Sequence, residues 1–139
     1  MIKVTNLMIN DWVSINGSNY LVKDIKKKGV IKLYENTKLG EHEIDFNTDS
    51  LEEFIEPIPL TSEILEKNGY TPHDGFTEQA VDWRSEDNRI IMSDWEYDNH
   101  WYIHIDNEDM DTICTAEITY VHELQHALKL CRIEKEIVL

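Results

Sequence analysis

The chain has 139 residues, 41% of them hydrophobic, enough apolar side chain for one compact domain or two very small ones and too much for wholesale disorder. Its 13 basic and 28 acidic residues leave a formal net charge of −15, so a phosphate backbone repels it and direct nucleic-acid binding is excluded as a first expectation. No apolar run approaches the roughly 20 residues that span a bilayer, no signal peptide is evident, and two cysteines, Cys114 and Cys131, make no disulfide framework, so a cytoplasmic protein with reduced thiols is expected.

Charge is uneven along the chain. Residues 1–60 hold seven Lys against ten Asp and Glu, whereas residues 61–139 hold six Lys and Arg against eighteen acids. The basic run Lys26-Lys27-Lys28 reads as a solvated turn in the less acidic half.

Residues 1–59 alternate apolar and polar positions in short runs separated by turn residues. Trp12 to Ile15, Tyr20 to Ile25, Val30 to Tyr34, Glu41 to Phe46 and Phe54 to Ile58 are the predicted strands. Asn16-Gly17-Ser18-Asn19 and Lys27-Lys28-Gly29 are predicted turns, and Asp49 to Glu52 a single helical turn. This pattern predicts an SH3-like small β-barrel. Pro57 and Pro59 mark its end, because each lacks an amide donor and restricts its predecessor.

Residues 60–139 are predicted to hold a short helix, an antiparallel sheet and a C-terminal helix, making the whole chain α+β. Thr61 caps a helix over Ser62 to Lys67, which Asn68-Gly69 ends; Tyr70 to Gly75 is a predicted loop. Gln79 to Arg84, Arg89 to Trp95 and His100 to Asp106 form a meander, turning at Ser85 to Asn88 and at Glu96 to Asn99. In the last strand Trp101, Ile103 and Ile105 share one face, expected to receive the C-terminal helix, and His100, Tyr102 and His104 the other. Asn107 to Asp111 reads as an acidic loop, the helix as starting near Thr115, and Glu134 to Leu139 as a short edge strand.

That helix contains His122-Glu123-Leu124-Gln125-His126, which matches H-E-x-x-H: two imidazoles one turn apart to bind zinc, and a glutamate to activate water. Three physical tests weigh against it. On a helical wheel Val121, Leu124, Leu128 and Cys131 form the apolar stripe, and His122 and His126 lie nearly opposite it, facing water unless another segment covers them. A third ligand is wanting: Lys129 and Arg132 stand where the extended motif has Gly and His, and only Glu134 and Glu136 follow closely. His104 projects from the far side of the sheet, about 10 Å or more from the helix histidines, and His42 reaches them only if the first domain covers the helix.

Counting Asp106 as the first position of a calcium loop puts Glu117 at the twelfth, but Met110 falls on a ligand position and Asp111 replaces the required Gly. The aromatics Trp83, Trp95, Tyr97, Trp101 and Tyr102 sit among acids, so core packing is expected before a protein-binding patch, and single-strand stacking is not expected. No Gly-rich phosphate loop or nucleophile elbow is present.

Two segments, Pro57-Ile58-Pro59-Leu60-Thr61 and Tyr120-Val121-His122-Glu123-Leu124-Gln125, with the barrel-like start and aromatic meander, carry a resemblance over most of the chain. The chain resembles a family of small uncharacterised acidic proteins from gut anaerobes and their phages and mobile elements. No established activity, cofactor or catalytic residue comes with that resemblance. It implies relatives with Asn at the position of His126 and Gln at that of Glu123, which makes the zinc motif incidental.

The expected function is a non-enzymatic protein-binding factor of phage or mobile-element type, with a basic or mixed protein partner, no membrane and no cofactor. One alternative is a zinc-dependent hydrolase with His122 and His126 as metal ligands and Glu123 as catalytic base. The other is an acidic DNA mimic that inhibits a DNA-binding protein.

Overall fold

Asn16 and Gly17 set the first hairpin. Both have positive φ, 50° and 81°, the requirement of a two-residue type I′ turn, and the strands on either side close on the pair Ile15–Ser18. In this computed structural model, which describes residues 2–26, 30–37, 40–47, 53–75, 77, 80–94 and 100–139, the chain forms two units, Met1–Ile58 and Pro59–Leu139.

The first unit is one antiparallel sheet of β1 (Trp12–Ile15), β2 (Ser18–Lys26), β3 (Val30–Thr37), β4 (Gly40–Asn47) and β5 (Ile55–Glu56), ordered β4-β3-β2-β1-β5. Period-two alternation puts Val13, Ile15, Val22, Ile31 and Leu33 on one face, where Ile2, Leu7 and Ile55 join them in a single core cluster. Among the described residues β4 and β5 are the two edges and do not pair, so the sheet is open. The expected SH3-like barrel is therefore corrected. Closure requires the first and last strands to share a ladder, and β5 supplies two residues, both paired to β1.

The second unit is an up-and-down sheet of β6 (Thr71–Asp74), β7 (Val81–Arg84), β8 (Ile90–Asp94), β9 (Trp101–Asp106) and β10 (Thr112–Ile118), each strand antiparallel to its sequence neighbour. Two helices accompany it, α1 (Ser62–Lys67) and α2 (Val121–Leu130). Ile90, Met92, Trp101, Ile103, Ile105 and Ile118 are buried on the strands, and Val121, Leu124, Ala127 and Leu128 on α2, which lies against β10. Each of the Val, Leu, Ile and Met side chains contributes about 1.5–3 kcal/mol of transfer free energy. The Trp101 indole, carried into this core, is partnered: it donates to Leu60 O at 2.9 Å.

With two five-stranded sheets and helices of only six and ten residues, the chain is mostly β, which corrects the expected α+β class. Two local readings change with it. Thr71–Asp74 is a strand where a loop was expected; it is the sheet edge, which tolerates Pro72, and the turn beyond it needs Gly75, since an added Cβ there would lie 2.6 Å from Ala80 O. Thr112–Ile118 is also a strand, so the helix begins at Val121 rather than near Thr115. Cys114, Ala116 and Ile118 alternate with exposed Ile113, Thr115 and Glu117, a period of two that the helix-favouring Ala116-Glu117 pair disguises.

Asn107 to Asp111 is accordingly a hairpin turn. The Asn107 carboxamide oxygen accepts from the amides of Asp109 and Asp111, both at 2.9 Å. The last segment, Glu134 to Leu139, forms no strand; instead Asn68 holds it with its carboxamide, donating to Val138 O and accepting from Val138 N, both at 2.8 Å. The expected turns at Lys27–Gly29 and Glu96–Asn99 and the helical turn at Asp49–Glu52 lie outside the described residues.

α2 ends in a Schellman motif. Arg132 N donates to Lys129 O and Ile133 N to Leu128 O, which places Arg132 in the left-handed region at φ 56°. A side chain there costs what glycine avoids, so Arg132→Gly is expected to raise unfolding free energy by about 0.5–1 kcal/mol, read as a higher urea midpoint; a lower midpoint would show that the Arg132 side chain supports the tail. The β7–β8 turn gives a pH dependence. The Ser85 hydroxyl at 2.7 Å, and then the Arg89 amide at 3.1 Å, hold the Asp87 carboxyl below its usual range against an opposing desolvation. A lowered folded value means stability present above the unfolded pKa, about 3.9, and lost as pH falls through the folded one. Asp87→Asn should cost about 0.5–1 kcal/mol at neutral pH, with wild type and variant converging in acid; parallel melting curves from pH 2 to 7 would contradict this.

Candidate functional site

The HELQH segment occupies the first two turns of α2, with Tyr120 as N-cap. His122 is the second helical residue and Glu123 the third, a position whose carboxylate can turn back to the unpaired amides before the helix. It does so here: Glu123 Oε2 accepts from Thr119 N at 2.6 Å and from Tyr120 N at 3.0 Å. The residue that a zinc hydrolase would use as general base is thus the anchor of the helix N-terminus.

The histidines are not laid out on open solvent, as the helical wheel predicts. His122 is only 8% exposed, its ring stacked on that of Tyr120 with centroids 5.9 Å apart, and His126 is half-buried. The two imidazoles stand edge to face at 5.6 Å. Such spacing suits two ligands of one ion, but among the described residues no three His, Cys, Asp or Glu side chains gather as a metal site. His104 is engaged elsewhere, and the side chain of His42 lies outside what the structure describes.

A second cluster assembles on the other face of the second sheet. Register aligns Thr115, His104, Ile91, Arg84 and Thr71 in one row across β10 to β6. The next row holds Glu117, Tyr102, Ser93, Asp82 and His73. None of these ten side chains is buried, while their strand neighbours Trp101, Ile103, Ile90 and Met92 are. Ser93, Tyr102, His104, Thr115 and Glu117 border an open groove of about 620 Å³.

Its polar groups are held in fixed orientations. Asp106, 7% exposed, contacts His104 Nε2 at 2.8 Å, and Thr112 Oγ1 lies 3.1 Å from both. Ser93 donates its hydroxyl to Asp82 Oδ1 at 2.7 Å, and Arg84 Nη2 lies 3.6 Å from Asp82 Oδ2. Glu117 reaches His100 Nδ1 at 3.4 Å. Ser93 donates a hydrogen bond to a carboxylate rather than to an imidazole, so it lacks the serine–histidine pairing of an activated nucleophile. Tyr102 stands out of it, 45% exposed.

Alternation along β9 already separates Tyr102 and His104 from Trp101 and Ile103. The contributions of Ser93, Asp82 and Thr115 have no local signal, because they depend on register. The calcium-loop reading fails on the same register: Glu117 sits mid-strand opposite Tyr102, and Asp106 faces His104. Of the aromatics, Trp101 is core and Tyr102 surface; Trp95 and Tyr97 lie outside the described residues.

Compared with protein-family models, with curated proteins and with solved structures, the chain matches none. Among the described residues no helix is long and apolar enough to cross a membrane.

If Glu123 serves as a cap, Glu123→Gln keeps an acceptor and should stay within about 0.5 kcal/mol of wild type, whereas Glu123→Ala should lose about 1–2 kcal/mol. Equal losses in chemical denaturation would remove the capping role.

Proposed function

We propose that this protein is a non-enzymatic protein-binding factor that takes a lysine- and arginine-rich stretch of a partner protein on the open face of its second sheet. The observation that carries the reading is the unburied two-row face, with exposed Tyr102 on β9 and Asp82 and Glu117 along the same row. A tyrosine held on a strand offers contact area at small entropic cost, and flanking carboxylates set the sign of the partner. The acidic excess of residues 61–139 steers cationic segments toward this half of the chain. Binding rather than chemistry suits the groove because Ser93 and His104 are already engaged, by Asp82 and by Thr112 and Asp106.

No cofactor enters this reading. The zinc alternative asks Glu123 to leave two backbone amides 2.6 and 3.0 Å away in order to activate water, which would uncap α2.

The test is titration of the ¹⁵N-labelled protein with a Lys/Arg-rich peptide at low salt. Shift changes are expected to cluster on β8, β9 and β10 around Tyr102. Tyr102→Ala should weaken binding about tenfold, and Glu117→Lys should slow association and flatten its salt dependence. Shifts spread evenly over all acidic surfaces, or variants that bind as wild type, would sink the proposal.

A further inference from the structure

Cys114 and Cys131 are 17 positions apart in sequence, and the fold brings them together. β10 ends at Ile118, and Thr119 and Tyr120 turn the chain into α2, which lies back against β10. From Ile118 back to Cys114 the strand covers about 13 Å, at roughly 3.3 Å per residue. From Val121 to Cys131 the helix covers about 15 Å, at 1.5 Å per residue. The returning helix therefore delivers its C-cap over Cys114. Side-chain direction agrees: Cys114 shares the core-facing side of β10 with Ala116 and Ile118, and Cys131 continues the stripe of Leu124 and Leu128. The two thiols are neighbours close enough to act on one another, and both are free and half-buried.

We propose that Cys114 and Cys131 form a dithiol modification site, closed to a reversible intramolecular disulfide by low-molecular-weight disulfides of the glutathione class. In the first step one protein thiolate attacks a sulfur of the small disulfide, giving a mixed disulfide and one released thiol. The second protein thiolate then attacks the protein sulfur of that mixed disulfide and expels the second small thiol. Two protein thiols are oxidised, one small disulfide is reduced to two thiols, and the two protein protons leave on them. Bonded sulfurs stand about 2.05 Å apart, so the neighbouring thiols must draw together to close, and Cys131, the last residue before the left-handed turn at Arg132, is not locked within a helix interior. Burial and the neighbouring Cys114 push the Cys131 thiol up, so the exchange accelerates as pH rises.

The closed bond would staple the end of α2 to β10, next to the strand that carries Thr115 and Glu117. It adds a covalent cross-link to a contact already made.

The experiment uses the full chain, reduced and then freed of reductant, incubated with oxidised glutathione under native conditions. The expected product is a monomer lighter by two hydrogens, with neither cysteine alkylated by iodoacetamide, a thermal midpoint raised by several degrees, and full reversal by dithiothreitol. Cys114→Ser and Cys131→Ser are each expected to stop at one glutathione adduct, since no second thiol resolves it. A wild-type chain that keeps glutathione adducts, leaves both thiols open to alkylation, forms disulfide-linked dimers, or melts lower when oxidised would overturn the proposal.

Discussion

The contact of α2 with β10 is the constraint on which the second unit depends. A ten-residue helix is marginal by itself, and this one is held at three points. Glu123 fastens its first turn to the amides of Thr119 and Tyr120, Val121, Leu124 and Leu128 bury its stripe, and the left-handed Arg132 closes its last turn. The helix end then sets the course of the tail. Lys135 passes 4.3 Å over the ring of Tyr70, and Val138 is clasped by Asn68 at the end of α1. Tyr70 is almost wholly buried there; desolvation, with Asp87 adding, pushes its hydroxyl well up, and desolvation lowers Lys135. Both shifts have one leading cause, the desolvation of a polar end.

The sheet beneath divides its work by face. Pleating sends successive side chains to opposite sides, so one strand supplies core and surface at once. On β9 the core takes Trp101, Ile103 and Ile105, and the surface takes Tyr102 and His104. Burying Asp106 under His104 and Thr112 is affordable because its oxygen is hydrogen-bonded. These contacts orient the His104 imidazole toward Asp106 and Thr112.

HELQH shows how one spelling serves two physical ends. H-E-x-x-H requires a glutamate beside the first of two histidines one turn apart; a helix N-terminus wants a glutamate three residues after the cap. In this chain both rules fall on Glu123, and sequence spacing cannot separate them. What separates them is where the helix begins. With the start near Thr115, Glu123 is mid-helix and free to act on water. With the start at Val121 it is the third residue, and its carboxylate turns back to two amides. The same displacement of the helix start turns the supposed calcium loop into a hairpin.

By itself the sequence determined the periodicities and the turn chemistry: the Asn16-Gly17 hairpin, the α1 cap at Thr61, the two faces of β9 and the apolar stripe of α2. These are local, set by side-chain spacing over a few residues and by backbone dihedrals that only some residues tolerate. Whether the first sheet closes into a barrel, whether Thr112–Ile118 is strand or helix, and whether Tyr102 shares a face with Ser93, Asp82 and Glu117 were decided only by the tertiary structure. Each depends on hydrogen bonds between segments distant in sequence, and β10 becomes a strand because β9 offers it a ladder. The meeting of Cys114 and Cys131 belongs with these, since neither residue's neighbours in sequence say that the helix returns along the strand.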